Sequence, residues 1–137
     1  MPRIETKKKI KAPVERIFAI LDDPDRLADW NLAVKSIEKL DEGKYFVKSN
    51  VGDLTSYREE TVPNVSITER QEGSILKKLG YILKPMGDVV EATIWGEFDD
   101  PSQEPMMMIA GDVFLKSLKK YAEYLEAGGD PKDFKKK

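Results

Sequence analysis

Between residues 34 and 98 the chain alternates apolar and polar side chains, which is typical of β-strands with one buried face. An N-terminal segment, residues 3–11, alternates in the same way. Short turn sequences such as Asp41-Glu42-Gly43 separate the segments, and short connections indicate antiparallel neighbours. The pattern therefore predicts seven strands, over residues 3–11, 34–40, 44–51, 53–62, 65–71, 75–85 and 89–98.

Helical spacing of apolar residues appears on both sides of this run of strands. Pro13 suits the first position of a short helix that ends near Leu21, and a second short helix is predicted over residues 25–30. A longer helix is predicted from about Glu104 to Glu126. Its apolar stripe recurs every three or four residues: Met107, Gly111, Phe114, Leu118, Tyr121 and Leu125.

The long helix must bury this stripe, and the apolar face of the sheet is the available partner. We therefore predict an α+β fold in which a seven-stranded curved antiparallel sheet carries two short helices after its first strand. The long C-terminal helix packs across the concave face. This single domain is expected to span residues 1–127, and residues 128–137 are expected to form a frayed basic tail after Gly128-Gly129.

Gly111 lies in the middle of the stripe, where one straight helix crosses a twisted sheet. Such a helix touches some strands closely and leaves space beside others. A glycine at this position fits a cavity, because it has no side chain to fill one. It fits close contact between helix and sheet equally well, so the sequence leaves both interpretations open.

Composition limits the chemistry of the chain. Its 137 residues include no cysteine and no histidine, so a thiol nucleophile, a zinc–thiolate site and the usual base near neutral pH are excluded. The acidic residues near Asp22 lack the spacing of a calcium loop. We therefore expect no metal and no cofactor, and no catalytic motif assigns a catalytic residue.

Charge and hydropathy limit the partners and the location. Charged residues make up 35% of the chain but the net charge is −2, which disfavours nucleic acid as the main partner. No apolar run is long enough to cross a membrane, so stable membrane insertion is not expected. The N-terminus lacks the apolar segment of a secretory signal, and a cytoplasmic location is expected.

Two segments near the N-terminus resemble a known family. IKAPVERIF at residues 10–18 and LDDPDRLADWN at residues 21–31 are similar to the opening strand and paired helices of the START-like (SRPBCC) helix-grip superfamily. They resemble its polyketide cyclase/dehydratase-like branch, which is related to the birch allergen. VEATIWGEF at residues 90–98 and the C-terminal helix also fit, so the resemblance covers residues 1–127.

The resemblance implies a pocket between the concave sheet face and the last helix, which would bind a hydrophobic small molecule. The ligand-binding residues expected there are Trp30, Tyr57, Arg58, Tyr81, Ile94, Met107, Gly111, Phe114, Leu118 and Tyr121. Trp30 could instead be a core anchor. If Ser56, Arg58 and Glu60 face inward, an Arg–Glu pair in the pocket would suit a ligand with a carboxylate, hydroxyl or phosphate group.

Three functions remain open. The first is binding or transport of a hydrophobic small molecule such as a lipid or polyketide, in a cavity of several hundred Å³. The second is a cyclase- or dehydratase-like enzyme that uses Tyr57, Arg58, Glu59 or Glu60 in the pocket. The third is a protein-interaction module of the chaperone-activator type, suggested by an outward-facing Trp95. A monomer or weak homodimer is expected in each case.

Overall fold

The structure, a computed structural model, describes residues 2–50 and 52–136. Within these residues the chain forms one seven-stranded antiparallel sheet in the order β1-β7-β6-β5-β4-β3-β2. The predicted strands and the α+β fold class are confirmed. The strands are β1 (Arg3–Ile10), β2 (Val34–Asp41), β3 (Lys44–Ser49), β4 (Gly52–Val62), β5 (Ser66–Glu72), β6 (Leu76–Met86) and β7 (Val89–Phe98).

The helices also follow the predicted pattern. Helix α1 (Val14–Leu21) is preceded by Pro13, which has an extended backbone and is the residue before the first helical position. A 3₁₀ turn over Pro24–Arg26 continues into α2 (Leu27–Trp30). Helix α3 (Glu104–Glu126) is the long C-terminal helix, with the predicted bounds.

Helix α3 packs mainly against β1 and β7, at one side of the sheet. Alternate residues of β7, from Val90 to Phe98, are buried against it, as the period-two pattern predicts. The buried stripe of α3 supplies the other half of the contact. Because α3 lies over this side, the concave face near β2 is covered by the shorter α2 instead. This offset is the origin of the cavity described below.

Gly111 marks the closest approach between α3 and the sheet. A Cβ atom added there would lie 3.1 Å from Thr6 Cγ2 and 3.4 Å from Ile94 Cγ2, which leaves almost no room for a side chain. Of the two interpretations left open by the sequence, close contact is therefore correct at this position, and the space lies beside Gly111.

A β-bulge in β6 brings one more apolar side chain to the concave face. The register between β6 and β7 shifts by one residue between Leu76 and Lys78. Leu76 and Leu79 therefore both face inward, although a regular strand would turn them to opposite faces. The two leucines form part of the cavity wall.

The C-terminal segment packs on the domain, in contrast to the frayed tail expected from the sequence. The ring of Phe134 lies 4.8 Å from that of Tyr121 and 5.0 Å from that of Tyr124. Lys136 Nζ donates hydrogen bonds to the backbone carbonyls of Ala28 at 2.6 Å and Val34 at 3.0 Å. Aromatic packing by Phe134 and the hydrogen bonds from Lys136 to α2 and β2 thus hold the described part of the tail.

Candidate functional site

A cavity of about 110 Å³ lies between the concave sheet face and the N-terminal half of α3. Its walls come from β2 to β7, the end of α1 and the start of α2, and most of the lining side chains are apolar. The volume is smaller than the several hundred Å³ expected from the sequence. An engineered apolar cavity of ~150 Å³ takes up benzene, so this space suits a ligand of about one ring.

Half of the ligand-binding residues expected from the sequence line this cavity. They are Tyr81, Ile94, Met107, Gly111 and Phe114. The other five lie elsewhere: Trp30, Tyr57, Arg58, Leu118 and Tyr121.

Trp30, Leu118 and Tyr121 belong to the packed core beyond the cavity. Trp30 is 1% exposed, meets the ring of Phe114 edge-on at 5.5 Å and stacks on Tyr121 at 6.1 Å. On α3, Leu118 and Tyr121 lie about one and two turns after Phe114, the last cavity-lining residue of that helix, where α3 contacts α1 and α2. The core-anchor interpretation of Trp30 therefore describes its position. Trp30 and Tyr121 also border a second, more open pocket of about 390 Å³ next to α1.

Tyr57 lies on the convex face of β4. Its ring is covered by the guanidinium of Arg70, whose carbon is 4.1 Å from the ring centroid. Since neighbouring residues of a strand face opposite ways, Ser56 and Arg58 are on the concave side. Tyr57 is thus separated from the cavity by the sheet itself.

Arg58 is paired with a glutamate other than the one suggested by the sequence. Arg58 Nε lies 3.4 Å from a carboxylate oxygen of Glu69, its direct neighbour across β4 and β5. The register shifts between Arg58 and Glu60, which turns Glu60 to the exposed face. Arg58 Nη1 also contacts Asp22 at 2.8 Å, so the guanidinium joins β4 to the end of α1 beside the cavity.

Glu69 is the cavity residue that sequence reasoning missed. It lies on the inward face of β5 with Ile67 and Gln71, and its side chain is 14% exposed. An acid two residues after a buried isoleucine and two before a buried glutamine was the available signal. Because β5 is short and rich in polar residues, the sequence pattern alone does not mark its inward face.

Three polar side chains form a small patch on the mostly apolar wall: Ser56, Glu69 and Gln71. The hydroxyl-bearing residues Tyr45, Ser49 and Tyr81 also line the cavity. Gln71 Nε2 donates to Ser56 Oγ at 3.1 Å, and both residues are buried. Gln71 Oε1 is also buried, with no hydrogen-bond partner among the described residues. Tyr81 lies near this patch, with its ring stacked on Phe114 at 5.2 Å.

Burial changes the acidity of the two titratable groups on this wall. Burial raises the pKa of Glu69 above its ordinary value, while Arg58 and hydrogen bonds from Ser56 and Gln71 oppose the rise. Burial raises the pKa of Tyr81 well above its ordinary value, and the nearby carboxylate of Glu69 adds to this effect. Tyr81 is therefore a neutral hydroxyl near neutral pH.

Trp95, the basis of the protein-interaction hypothesis, lies on the convex face as predicted. Its ring covers Gly80, where an added Cβ atom would stand 2.2 Å from the indole. The guanidinium carbon of Arg3 lies 4.4 Å from the ring centroid on the same face. Contacts within the chain thus account for this tryptophan without a partner.

Within residues 2–50 and 52–136, no group of three or more potential metal ligands converges. In the same part of the chain, no helix has the length and hydropathy needed to cross a bilayer.

No protein-family model and no curated protein matches this sequence, but solved structures do. A START superfamily protein from Mycobacterium smegmatis is 15% identical, with 90% of this chain and 98% of that chain covered and a TM-score of 0.72. The Zhui aromatase/cyclase from a Streptomyces species is 18% identical, with 94% and 99% covered and a TM-score of 0.74.

The Aha1 dimer from Colwellia psychrerythraea is 20% identical, with 90% of this chain and 97% of that chain covered and a TM-score of 0.71. Structural similarity of this extent establishes the fold, but at identities this low it leaves the function open. The chain has the START-like helix-grip fold that its N-terminal segments resemble.

Proposed function

We propose that this protein binds a hydrophobic small molecule in the cavity between the sheet and α3. The observation that carries the proposal is the cavity wall, which is mostly apolar and carries a polar patch of Ser56, Glu69 and Gln71. Ligand sites are typically concave and mostly apolar, with a few polar groups that orient the ligand. The START-like fold supports the same proposal, because it leaves this space between helix and sheet. A cytoplasmic location and a monomer or weak homodimer stay predictions.

A ligand larger than one ring would need the cavity to widen, and the wall near α1 provides a place for that. Leu21, Pro24 and Leu27 border the cavity there. The ion pair between Arg58 and Asp22 ties this wall to β4, and Asp22 is 47% exposed. Partly exposed pairs contribute at most about 1 kcal/mol, so this ion pair adds little to the cost of separating α1 from β4.

Filling the cavity tests the proposal. Ala110 lines the cavity, while the adjacent Ile109 is 66% exposed. Ala110→Phe should fill the space, and Ile109→Phe places the same ring in solvent as the matched control. We expect toluene to cause saturable ¹H–¹⁵N NMR shifts at Ile94 and Phe114 in the wild type and in Ile109→Phe. Those shifts should be lost in Ala110→Phe.

The absence of saturable shifts in the wild type would contradict the proposal, as would equal binding to Ala110→Phe. If that variant does not fold, Val47→Phe fills the same cavity from the opposite wall. Native mass spectrometry of the purified wild-type protein would then identify a molecule that co-purifies with it.

A second candidate function is acid–base catalysis of the cyclase or dehydratase type. It is favoured by one observation, the presence of Glu69 and Tyr81 on one apolar wall with raised pKa values. Glu69 would transfer a proton to or from a carbon beside a carbonyl, and the hydroxyl of Tyr81 would donate to the carbonyl oxygen. Of the residues that the sequence suggests for this role, Glu59 and Glu60 are exposed and Tyr57 is on the convex face.

Hydrogen–deuterium exchange at the methyl group of acetophenone, a one-ring ketone, tests this second function. General base catalysis by a positioned carboxylate contributes typically ~10²–10⁴-fold. We therefore expect exchange to be faster with wild-type protein than in buffer, and to fall at least about tenfold in Glu69→Gln. If the wild-type rate equals the buffer rate, this function is wrong, whereas the binding proposal is unaffected.

A further inference from the structure

The charge of the cavity wall discriminates between ligands. Among the described residues that line the cavity, Glu69 is the one acid, and there is no lysine or arginine. Arg58 lies beside this wall on the concave side of β4, and its guanidinium already contacts Asp22 at 2.8 Å and Glu69 at 3.4 Å. A ligand carboxylate would therefore enter an apolar space that holds another carboxylate and no free cation, which is unfavourable.

The polar patch also offers acceptors for a hydrogen-bond donor. Gln71 Nε2 donates to Ser56 Oγ, and the Gln71 side chain also donates towards Glu69. Ser56 Oγ and the Glu69 carboxylate, which accept these hydrogen bonds, fix the orientation of the Gln71 amide group. The amide oxygen is then left buried with no hydrogen-bond partner in the part of the chain that the structure describes. A buried carbonyl without a donor is costly, so a ligand that supplies one is favoured.

Tyr81 supplies a hydrogen-bond donor on the same wall. Tyr81 lines the cavity and is 5% exposed. Its hydroxyl is protonated near neutral pH, because burial and the neighbouring Glu69 raise its pKa. The wall thus combines acceptors at Glu69 and Gln71 with a donor at Tyr81. A hydroxyl group is the simplest neutral group that both donates and accepts.

A ligand amine fits this wall less well. Glu69 would attract a protonated amine, but Arg58 already neutralises that carboxylate at 3.4 Å. A second cation would lose its hydration in the apolar cavity without gaining an unpaired partner. Among one-ring ligands, a neutral hydroxyl therefore matches the wall better than either a carboxylate or an ammonium group.

We propose that the cavity selects small apolar molecules that carry a neutral hydroxyl, which donates to Gln71 or Glu69 and accepts from Tyr81. Carboxylates and ammonium ions of the same size are rejected. This inference rests on the proposed binding function, because it concerns the same cavity. The sequence suggests a ligand with a carboxylate, a hydroxyl or a phosphate group. Of these three groups, the cavity wall favours the hydroxyl.

Four one-ring ligands and three variants test this selectivity. Phenol, toluene, benzoate and benzylamine are titrated by ¹H–¹⁵N NMR against the wild type, Gln71→Leu and Tyr81→Phe. Leu54→Met, a conservative change on the apolar part of the wall, is the control. Because toluene is more hydrophobic than phenol, the informative quantity is the ratio of the toluene Kd to the phenol Kd. A change in that ratio between two proteins measures how far the substituted side chain interacts with the hydroxyl group of phenol.

We expect this ratio to fall about three- to tenfold in Gln71→Leu and in Tyr81→Phe, the range for one neutral hydrogen bond. It should be unchanged in Leu54→Met. Benzoate and benzylamine should bind the wild type at least about tenfold more weakly than phenol, since neither charge finds a partner. Tyr81→Phe preserves the ring, so it keeps the test decisive if Gln71→Leu does not fold.

The outcomes separate this inference from the binding proposal. If toluene binds in the cavity and the ratio is the same in the wild type and both variants, binding stands and the hydroxyl inference is wrong. Tighter binding of benzoate or benzylamine than of phenol overturns the inference in the same way. If neither toluene nor phenol binds in the cavity, the binding proposal itself fails, and the inference fails with it.

Discussion

Gly111→Ala, alone and combined with Thr6→Ser, measures how closely α3 approaches the sheet. The added methyl group would lie 3.1 Å from Thr6 Cγ2 and 3.6 Å from Ile4 Cδ1. The shorter of these two distances is tighter than ordinary contact, so Thr6 or the helix must shift by a few tenths of an ångström. Thr6→Ser removes the Cγ2 atom and therefore the close contact.

Two opposing effects determine how Gly111→Ala changes the free energy of unfolding relative to the wild type. Replacing a glycine inside a helix by alanine stabilises it by ~1 kcal/mol. Forcing a methyl group into a packed contact costs ~1–3 kcal/mol. We therefore expect a net loss of about 0–2 kcal/mol in the Thr6 background. In the Thr6→Ser background the contact is gone, and the same change should stabilise the protein by up to ~1 kcal/mol.

Urea denaturation of the four proteins, followed by far-UV circular dichroism, provides the free energies and the coupling between the two sites. A coupling of ~1–3 kcal/mol is expected from the contact term. Unchanged m-values would show that unfolding remains comparable between the proteins. The refuting result would be that Gly111→Ala is more stable than the wild type by ~1 kcal/mol and that the effects of the two substitutions add within ~0.5 kcal/mol. Open space would then lie beside Gly111, and the close-contact reasoning would be refuted.

Two further predictions concern the cavity wall and the tail. The pKa of Glu69 should lie above 4.5 and rise further in Arg58→Leu, because burial remains while the opposing positive charge is lost; ¹³C NMR of the carboxyl group measures it. A raised folded-state pKa means that the folded protein binds this proton more tightly than the unfolded chain. The contribution of Glu69 to the free energy of unfolding should therefore be lost as pH rises from 4.5 through the raised pKa, over a wider pH range in Arg58→Leu. An unchanged titration midpoint of Glu69 in Arg58→Leu would contradict the pairing. Phe134→Ala should lower the free energy of unfolding by ~1–2 kcal/mol, because the aromatic packing against Tyr121 and Tyr124 is lost. Toluene binding should stay unchanged. A free energy of unfolding equal to that of the wild type would argue against the docked tail.

The strands, the helices and the buried faces of β7 and α3 could be predicted from the sequence alone. The reason is that periodicity relates residues close together in the chain. Val90 and Phe98 alternate with polar neighbours, and Met107 and Phe114 recur at helical spacing, so each segment reports its own buried face. The resemblance at residues 10–31 added the order in which these elements pack.

The tertiary structure alone decided what lies against each buried face. Whether Gly111 borders a gap or a contact depends on Thr6, which is far away in the sequence. The partner of Arg58 is Glu69 and not Glu60, because a shift in strand register turns one acid outward and the opposite strand supplies another. Cross-strand register and the offset of the helix are set by the packing of the whole sheet, so a local sequence pattern does not determine them.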